Sequence, residues 1–189
     1  MHKFLPNIFI FLDKYNNQIF KNNITNVGVI YRNYNNKKKE AELIKIAKSC
    51  RKKRFKLYVS NDIKLALKVK ADGIYIPSFN KSKKFLNMEN KKLTILGSAH
   101  NQKEIRKKIS QKCKAIFLSP IFHTKKRKNF LDIHKFNFIT FANKTNFVAL
   151  GGINEFNFHK LKMLNTKSFA GITLFKKKTG LLKAGFYKE

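Results

Sequence analysis

The sequence has few cysteines, few acidic residues and no long apolar run. Its 189 residues include 2 cysteines, Cys50 and Cys113, which lie far apart in segments that we interpret as helical. Two distant cysteines do not form a disulfide framework, so we predict free thiols, a reducing compartment and a cytoplasmic protein. No stretch approaches the ~18 uninterrupted apolar residues that a membrane-spanning helix requires, so we expect no membrane association.

The shortage of acidic residues makes the chain strongly basic. It has 42 lysines and arginines against 10 aspartates and glutamates, which gives a formal net charge of +32. Such a charge is typical of proteins that bind nucleic acids. The lysines are scattered along the whole chain, however, and Lys, Asn, Ile and Phe, which have A/T-rich codons, are all abundant. We therefore interpret most of the charge as codon bias on solvated helix faces, and we expect weak, non-specific binding of polyanions.

Short apolar runs alternate with longer amphipathic segments throughout the chain. The apolar fraction of 43% excludes a wholly disordered protein, and 189 residues fit one domain. The eight runs are residues 8–12, 27–31, 57–59, 73–76, 93–96, 115–118, 147–150 and 169–172. Because they are almost continuously apolar, they are typical of strands buried on both faces of a parallel sheet. The pattern predicts an α/β protein with a single domain, residues 1–189, folded as a compact (β/α)8 TIM barrel; an open doubly wound sheet is the alternative.

The segments between the runs have helical periodicity. In residues 40–54, apolar side chains recur at three- and four-residue steps with lysines and arginines between them. Asn61 or Asp62 is placed to cap a helix after the third run. Asn101 and Asn154 are placed in the same way after the fifth and seventh runs. The sequence therefore predicts helices at these points.

Chemistry in such a barrel takes place where strands end and loops begin. The polar residues and glycines that follow the predicted strands are therefore the candidates for a functional site. They are Asp13, Arg32, Asn33, Tyr34, Ser60, Asn61, Asp62, Ser78, Asn80, Ser98, His100, Ser119, His123, Thr124, Gly151, Gly152, Asn154, Thr173 and Lys176. Two of the chain's few acids, Asp13 and Asp62, belong to this set.

Six stretches of the chain, taken in order, resemble one known family. They are residues 29–32 (Val-Ile-Tyr-Arg), 59–62 (Val-Ser-Asn-Asp), 71–76 (Ala-Asp-Gly-Ile-Tyr-Ile), 96–100 (Leu-Gly-Ser-Ala-His), 119–127 (Ser-Pro-Ile-Phe-His-Thr-Lys-Lys-Arg) and 148–154 (Val-Ala-Leu-Gly-Gly-Ile-Asn). Their order and spacing resemble those of the thiamine phosphate synthase family, which also includes thiazole tautomerases. The resemblance covers residues 8–175, most of the chain.

The resemblance implies a transferase with two small phosphorylated substrates. Such an enzyme couples hydroxymethylpyrimidine diphosphate to thiazole phosphate, giving thiamine phosphate and pyrophosphate. In the family, Mg²⁺ assists the departure of the diphosphate. The protein must hold a dense cluster of negative oxygens, which cations and backbone N–H groups do.

The family's functional residues correspond to particular positions of this chain. The resemblance assigns the diphosphate site to Arg32, Asn61 and Ser98 and the magnesium site to Asp62 and Asn80. Arg32, Asp62 and Ser98 are therefore the predicted catalytic residues. A forked guanidinium suits phosphate, and Mg²⁺ is a hard cation that prefers oxygen ligands.

The resemblance assigns the thiazole phosphate site to the loops after the sixth and seventh strands. Thr124 corresponds to a phosphate-binding threonine, and Gly152 to a glycine whose backbone lies against the phosphate. Only glycine lets a phosphate approach the backbone without a Cβ in the way. Arg127 takes the place of the family's lysine, and we expect it to serve as a substrate-binding cation.

The chain departs from the family pattern around the diphosphate. Ile30 and Tyr34 stand where the family has a glutamine and a lysine. Tyr75 replaces a histidine, and Asn80 replaces a second magnesium-binding aspartate. One diphosphate-binding cation is therefore missing, and Lys176, which follows the eighth run, adds charge near the phosphates.

Two alternatives to a synthase stay open at this stage. A thiazole tautomerase needs a general base near pH 7, for which His100 or His123 is the candidate. A barrel without catalysis would bind phosphorylated ligands or polyanions through its basic surface. The sequence favours no particular oligomeric state.

Overall fold

The chain folds into a closed barrel of eight parallel strands. The computed structural model describes residues 5–21, 25–34, 39–86, 90, 92–125 and 129–171. The strands are β1 (Ile8–Leu12), β2 (Val27–Tyr31), β3 (Lys56–Ser60), β4 (Gly73–Ile76), β5 (Thr94–Ala99), β6 (Ala115–Leu118), β7 (Asn146–Leu150) and β8 (Phe169–Gly171). Each strand pairs with its neighbour in chain order, and β8 pairs with β1. The TIM barrel prediction is confirmed, and the open sheet is excluded.

Helices connect the strands on the outside of the barrel. They are α1 (Asn17–Lys21), α2 (Lys39–Lys53), α3 (Ile63–Lys68), α4 (Gln102–Ser110), α5 (Asp132–Phe141) and a 3₁₀ helix (Phe158–Met163). The predicted caps of α3 and α4 are confirmed, because Asp62 accepts the Leu65 N–H at 3.0 Å and Asn101 accepts the Glu104 N–H at 2.9 Å. The segment after Asn154, predicted as a helix, forms the 3₁₀ helix. Within the described ranges, no helix is long and apolar enough to span a membrane.

Two separate apolar cores explain why the strand sequences are almost continuously apolar. Successive side chains of a strand point to opposite faces, so a barrel strand buries one set inside the barrel and the other under the helices. The inner core contains Phe9, Phe11, Ile30, Tyr58, Tyr75, Leu96, Ala115, Phe117, Val148 and Ala170. The outer core includes the intervening strand residues and the apolar faces of the helices. Every second side chain of a strand faces the inside of the barrel. A residue just after a strand that continues this alternation therefore also faces inward.

Aromatic side chains fill the inner core. The Phe117 ring lies edge-on to Phe9, with ring centroids 4.9 Å apart, and edge-on to Tyr75 at 5.4 Å. Phe11 contacts Tyr75 in the same geometry at 5.4 Å. Edge-to-face packing is the arrangement that aromatic quadrupoles favour. Phe11 belongs to this cluster, and its ring forms the floor of a polar site at the carboxyl ends of the strands.

Both cysteines are free, as predicted, and the structure shows that both are buried. Cys50 lies in α2, as expected, but Cys113 follows α4 and does not lie in a helix. Burial raises the pKa of the Cys50 and Cys113 thiols from 9.0 to about 12. Because the pKa is higher in the folded state, these thiols contribute stability below pH 9 that is lost as the pH rises toward 12.

We therefore expect neither thiol to react with iodoacetamide in the folded protein at pH 8. The thiolate is the nucleophile, and its fraction is roughly a thousandfold lower at a pKa of about 12 than at 9.0. Mass spectrometry after alkylation should find both cysteines modified only when guanidinium is present. Modification of either one at equal rates with and without guanidinium would contradict the burial of that thiol.

Candidate active site at the carboxyl end of the barrel

Arg32 lies at the end of β2 and over the aromatic floor of the barrel. Its backbone N–H donates to the carbonyl of Leu12 at 2.7 Å, which extends the pairing of β1 and β2 by one step. It continues the inward-facing row of Ile30, and its guanidinium carbon lies 5.0 Å from the centroid of the Phe11 ring. A guanidinium stacked on a ring keeps its charge while its N–H groups remain available to an anion.

Ser98 and Tyr75 join Arg32 in one cluster. Ser98 is buried on β5, and its hydroxyl hydrogen-bonds the Tyr75 hydroxyl. Burial raises the pKa of Tyr75 to about 12, while the Ser98 hydrogen bond and the Arg32 charge act to lower it. Tyr75 is therefore a neutral hydrogen-bonding group near pH 7. The structure brings the predicted residues Arg32 and Ser98 together through a tyrosine that stands where the family has a histidine.

Asn61 and Asn80 contact each other directly. The Asn80 side-chain amide donates to the Asn61 side-chain oxygen, and the Asn61 backbone N–H donates to the carbonyl of Tyr75 at 3.0 Å. Asn61 has a φ of 58°, a left-handed conformation that asparagine tolerates better than most residues. These contacts connect the ends of β3 and β4, so two of the predicted site residues lie side by side.

Asp62 has two interactions that the prediction of a magnesium ligand did not include. One carboxylate oxygen caps α3, and the other lies 3.2 Å from the ammonium of Lys39. The carboxylate is still 30% exposed. Among the residues that the structure describes, no three His, Cys, Asp or Glu side chains form a metal-binding group. The oxygen donors of Asp62, Asn61 and Asn80 therefore fit a Mg²⁺ ion only if phosphate oxygens complete its coordination.

The two predicted thiazole phosphate residues lie on loops that touch. The Ile121 and Phe122 N–H groups donate to the carbonyls of Leu150 and Gly151 at 3.0 and 3.1 Å. A Cβ built on Gly152, whose φ is +77°, would lie 2.3 Å from the carbonyl oxygen of Phe122. Glycine is therefore required at position 152 by the approach of the two loops, independently of any ligand. Thr124 follows on the first of these loops and is partly buried.

His100 is bound to the neighbouring loop. Its Nδ1 lies 2.6 Å from the carbonyl oxygen of Ser119 and 3.2 Å from the Ser119 hydroxyl. A carbonyl only accepts, so this contact requires the proton on Nδ1. His123 is exposed and contacts Phe130 edge-on, with ring centroids 6.3 Å apart. His100 thus holds the loop after β6 in place, and the proton on Nδ1 leaves Nε2 as the acceptor nitrogen of the neutral ring.

Three predicted positions lie outside the described residues, namely Arg127, Thr173 and Lys176. The structure adds one contact that the sequence analysis missed: the Tyr34 hydroxyl lies 2.9 Å from the hydroxyl of Ser60, which is buried at the end of β3. Ser60 continues the inward row of Tyr58, as strand alternation predicts, but Tyr34 lies beyond the end of β2 and no local pattern predicts its contact.

These features define a (β/α)8 barrel protein with a polar, arginine-containing site at the carboxyl ends of its strands. A family model described as thiamine monophosphate synthase matches residues 14–175. The chain belongs to this family. The match covers β2 to β8 and every residue that the resemblance assigns to a substrate or magnesium site.

Curated relatives and a solved structure agree with the family. The chain is 31% identical over 139 residues to a thiamine-phosphate synthase of Prochlorococcus marinus and 32% identical over 135 residues to that of a second strain. Each match covers 70% of this chain but only 39% and 38% of the relatives, so the chain spans about two-fifths of their length. The thiamine phosphate pyrophosphorylase of Pyrococcus furiosus has the same fold, with a TM-score of 0.74, 19% identity and coverage of 95% of this chain and 91% of that one.

Proposed function

We propose that this protein is a thiamine phosphate synthase that couples hydroxymethylpyrimidine diphosphate to thiazole phosphate. The products are thiamine phosphate and pyrophosphate. The observation that carries the proposal is the cluster of Arg32, Ser98 and Tyr75, in a chain that belongs to the thiamine monophosphate synthase family. Three strands contribute these groups, and they meet where barrels carry out chemistry.

Arg32 binds the diphosphate in this proposal. Its guanidinium offers a fork of N–H donors and lies over the Phe11 ring. Ser98 donates a hydrogen bond to a phosphate oxygen, and Tyr75 remains neutral beside it. As pyrophosphate departs, negative charge collects on its oxygens, and preorganised donors then stabilise the transition state more than the bound substrate.

Mg²⁺ is the proposed cofactor, held by Asp62 and Asn80 together with the substrate's diphosphate. When bound, it neutralises the charge of the leaving pyrophosphate. Asp62 presents its carboxylate at the edge of the site because the cap of α3 fixes one of its oxygens. Lys39, which pairs with the other oxygen, supplies a cation at the same edge. In this proposal, Lys39 takes the place of the cation that the family normally has at the position of Tyr34.

The thiazole phosphate is proposed to bind between the loops after β6 and β7, at Thr124 and Gly152. Gly152 has no Cβ, and its loop lies against the carbonyls of Phe122 and His123. The two substrates would thus approach from different sides of the barrel end, because β2 to β5 carry the diphosphate residues and β6 and β7 carry the phosphate loops. A cytoplasmic location stays a prediction, which the two buried free thiols support.

The test is a coupling assay with both precursors, run with and without Mg²⁺, on the wild type and on Asp62→Asn. Asparagine caps helices as well as aspartate does, so α3 should remain intact while the charge is lost. We expect product from the wild type only with Mg²⁺, and we expect Asp62→Asn to require about tenfold more Mg²⁺ for half-maximal rate.

Asp72→Asn is the matched control. Asp72 pairs with Lys56 at 2.9 Å and is 28% exposed, similar to Asp62, but it lies at the other end of the barrel strands. Its Mg²⁺ requirement should equal that of the wild type. Folded wild-type protein that forms no thiamine phosphate at any Mg²⁺ concentration would refute the synthase and leave a tautomerase or a binding barrel.

A further inference from the structure

Two exposed aromatic side chains lie together at the mouth of the barrel. Phe79 is 66% exposed and Tyr34 is 48% exposed, and their ring centroids are 6.2 Å apart with an angle of 72° between the planes. Phe79 follows β4, and Tyr34 follows β2. In an edge-to-face pair, each ring leaves at least one face uncovered by the other. Large apolar surface left open beside a polar site is a feature of ligand-binding clefts.

The pair spans the end of β3, which lies between β2 and β4 in the barrel. The Tyr34 hydroxyl is held 2.9 Å from the hydroxyl of Ser60 on β3. On the other side, Asn80, the neighbour of Phe79, hydrogen-bonds Asn61, which also follows β3. Polar contacts therefore hold the Tyr34 ring and the backbone next to Phe79 at the same strand end. Arg32 precedes Tyr34 by two residues, so the cation and the rings belong to one edge of the site.

A buried lysine holds the loop that carries Phe79. Lys108 on α4 is completely buried, and its ammonium donates to the carbonyls of Pro77 at 2.7 Å and Asn80 at 2.9 Å. It also donates to the side-chain oxygen of Gln111 at 2.9 Å. Burial lowers the pKa of Lys108 to about 8. Burying an ammonium is costly unless every donor is satisfied, and these three acceptors satisfy it.

Gln111 holds the same loop as Lys108. Its side-chain amide donates to the carbonyls of Asn80 at 3.1 Å and Ser82 at 2.7 Å. Gly97 on β5 leaves room for the lysine stem, because a Cβ there would lie 2.8 Å from the Lys108 Cδ. Lys108 and Gln111 thus hold the loop that carries Phe79 by hydrogen bonds to its carbonyls at positions 77, 80 and 82.

We propose that Phe79 is a platform on which the flat pyrimidine ring of the substrate stacks, with Tyr34 edge-on beside it and with Lys108 and Gln111 as positioning residues for Phe79. This inference rests on the proposed function. Aromatic rings stack on heteroaromatic rings through their π faces, and a fixed platform loses little entropy when a ligand binds. The diphosphate end of the same substrate would reach Arg32. The ring pair supplies affinity where this chain has a tyrosine in place of a diphosphate-binding lysine.

The test is calorimetric titration of two probes, hydroxymethylpyrimidine diphosphate and inorganic pyrophosphate, with Mg²⁺ present and thiazole phosphate omitted so that no coupling occurs. Phe79→Ala should weaken the binding of the pyrimidine diphosphate about tenfold and leave pyrophosphate binding unchanged within twofold. Phe79→Tyr should bind both probes as the wild type does. Phe141→Ala is the matched control, because Phe141 is 75% exposed but lies on α5.

A second arm tests the positioning role of Lys108. Lys108→Met fills similar space but loses the ammonium donors, so the loop should lose its fixed position and pyrimidine diphosphate binding should weaken. Adding Phe79→Ala to Lys108→Met should then cause no further loss of affinity, because both changes remove the same platform. Losses that simply multiply would contradict the positioning role, and circular dichroism and thermal unfolding identify a general folding defect.

The outcomes separate this inference from the proposed function. If Phe79→Ala binds the pyrimidine diphosphate as tightly as the wild type and the wild type turns over, the platform is refuted and the synthase stands. If Phe79→Ala weakens both probes equally, Phe79 acts on the phosphate end and the stacking role is refuted. A wild type that binds neither probe refutes both proposals.

Discussion

Replacing Arg32 with alanine should lower kcat/KM for the proposed reaction, thiamine phosphate formation, by about a hundredfold or more. The guanidinium lies over Phe11 at the end of β2, and its charge acts on the Tyr75 hydroxyl, which hydrogen-bonds Ser98. Removing one preorganised donor to a developing oxyanion costs roughly 10²–10³ in rate. Arg32→Lys should recover part of the loss, since it keeps the charge but not the forked geometry. Steady-state kinetics with saturating thiazole phosphate measures both variants.

Arg106→Ala is the control for this experiment. Arg106 is exposed on α4, outside the site, so its removal subtracts the same charge from a chain that carries a net charge of +32. Its kcat/KM should stay within twofold of the wild type. Equal losses in the two variants would mean that overall positive charge attracts the substrates, and the specific role of Arg32 would be wrong.

The largest effect on stability is expected from Phe117→Ala. Phe117 is fully buried in the inner core, and its ring contacts those of Phe9, Phe11 and Tyr75. Removing a buried phenylalanine costs about 3–5 kcal/mol, from lost transfer free energy and the cavity left behind. In a protein of this size, such a change lowers Tm by roughly 10 °C. Thermal unfolding followed by circular dichroism measures the shift.

Phe138→Ala makes the same chemical change on the surface. Phe138 is 77% exposed on α5, so the free energy of unfolding should change by no more than about 0.5 kcal/mol. The difference between the two variants in the free energy of unfolding is the contribution of burial, because the chemical change is the same in both. A loss at Phe117 as small as that at Phe138 would show that the inner aromatic cluster does not stabilise the barrel.

The barrel could be predicted from the sequence because each strand is buried on both faces. A run such as Ala115–Leu118 is apolar at every position, and that pattern is local. The helix caps at Asp62 and Asn101 are local too, since each involves a backbone N–H three residues away. The helix expected after Asn154 formed a 3₁₀ helix instead, because its apolar residues do not fix which turn type satisfies the backbone.

The candidate site could be predicted only as a set of positions. The resemblance gave Arg32, Asn61, Asp62, Asn80 and Ser98, and the strand order explains why they lie at one end of the barrel. Their actual partners depend on the three-dimensional arrangement. Nothing near Asp62 in the sequence indicated its ion pair with a lysine 23 positions away.

The sequence by itself determined the fold class, the strand positions and the residues that follow each strand, because these depend on neighbouring residues and on the two-residue and 3.6-residue periods of local structure. Only the tertiary structure decided that Tyr34 and Phe79 meet across β3 and that Lys108, on a helix rich in lysines, is buried beneath the loop after β4. Lys108 and Pro77 are 31 positions apart, and no local pattern encodes their contact. Barrel closure brings such residues together, and the burial that results determines their hydrogen bonds, their pKa values and the surface they present to a ligand.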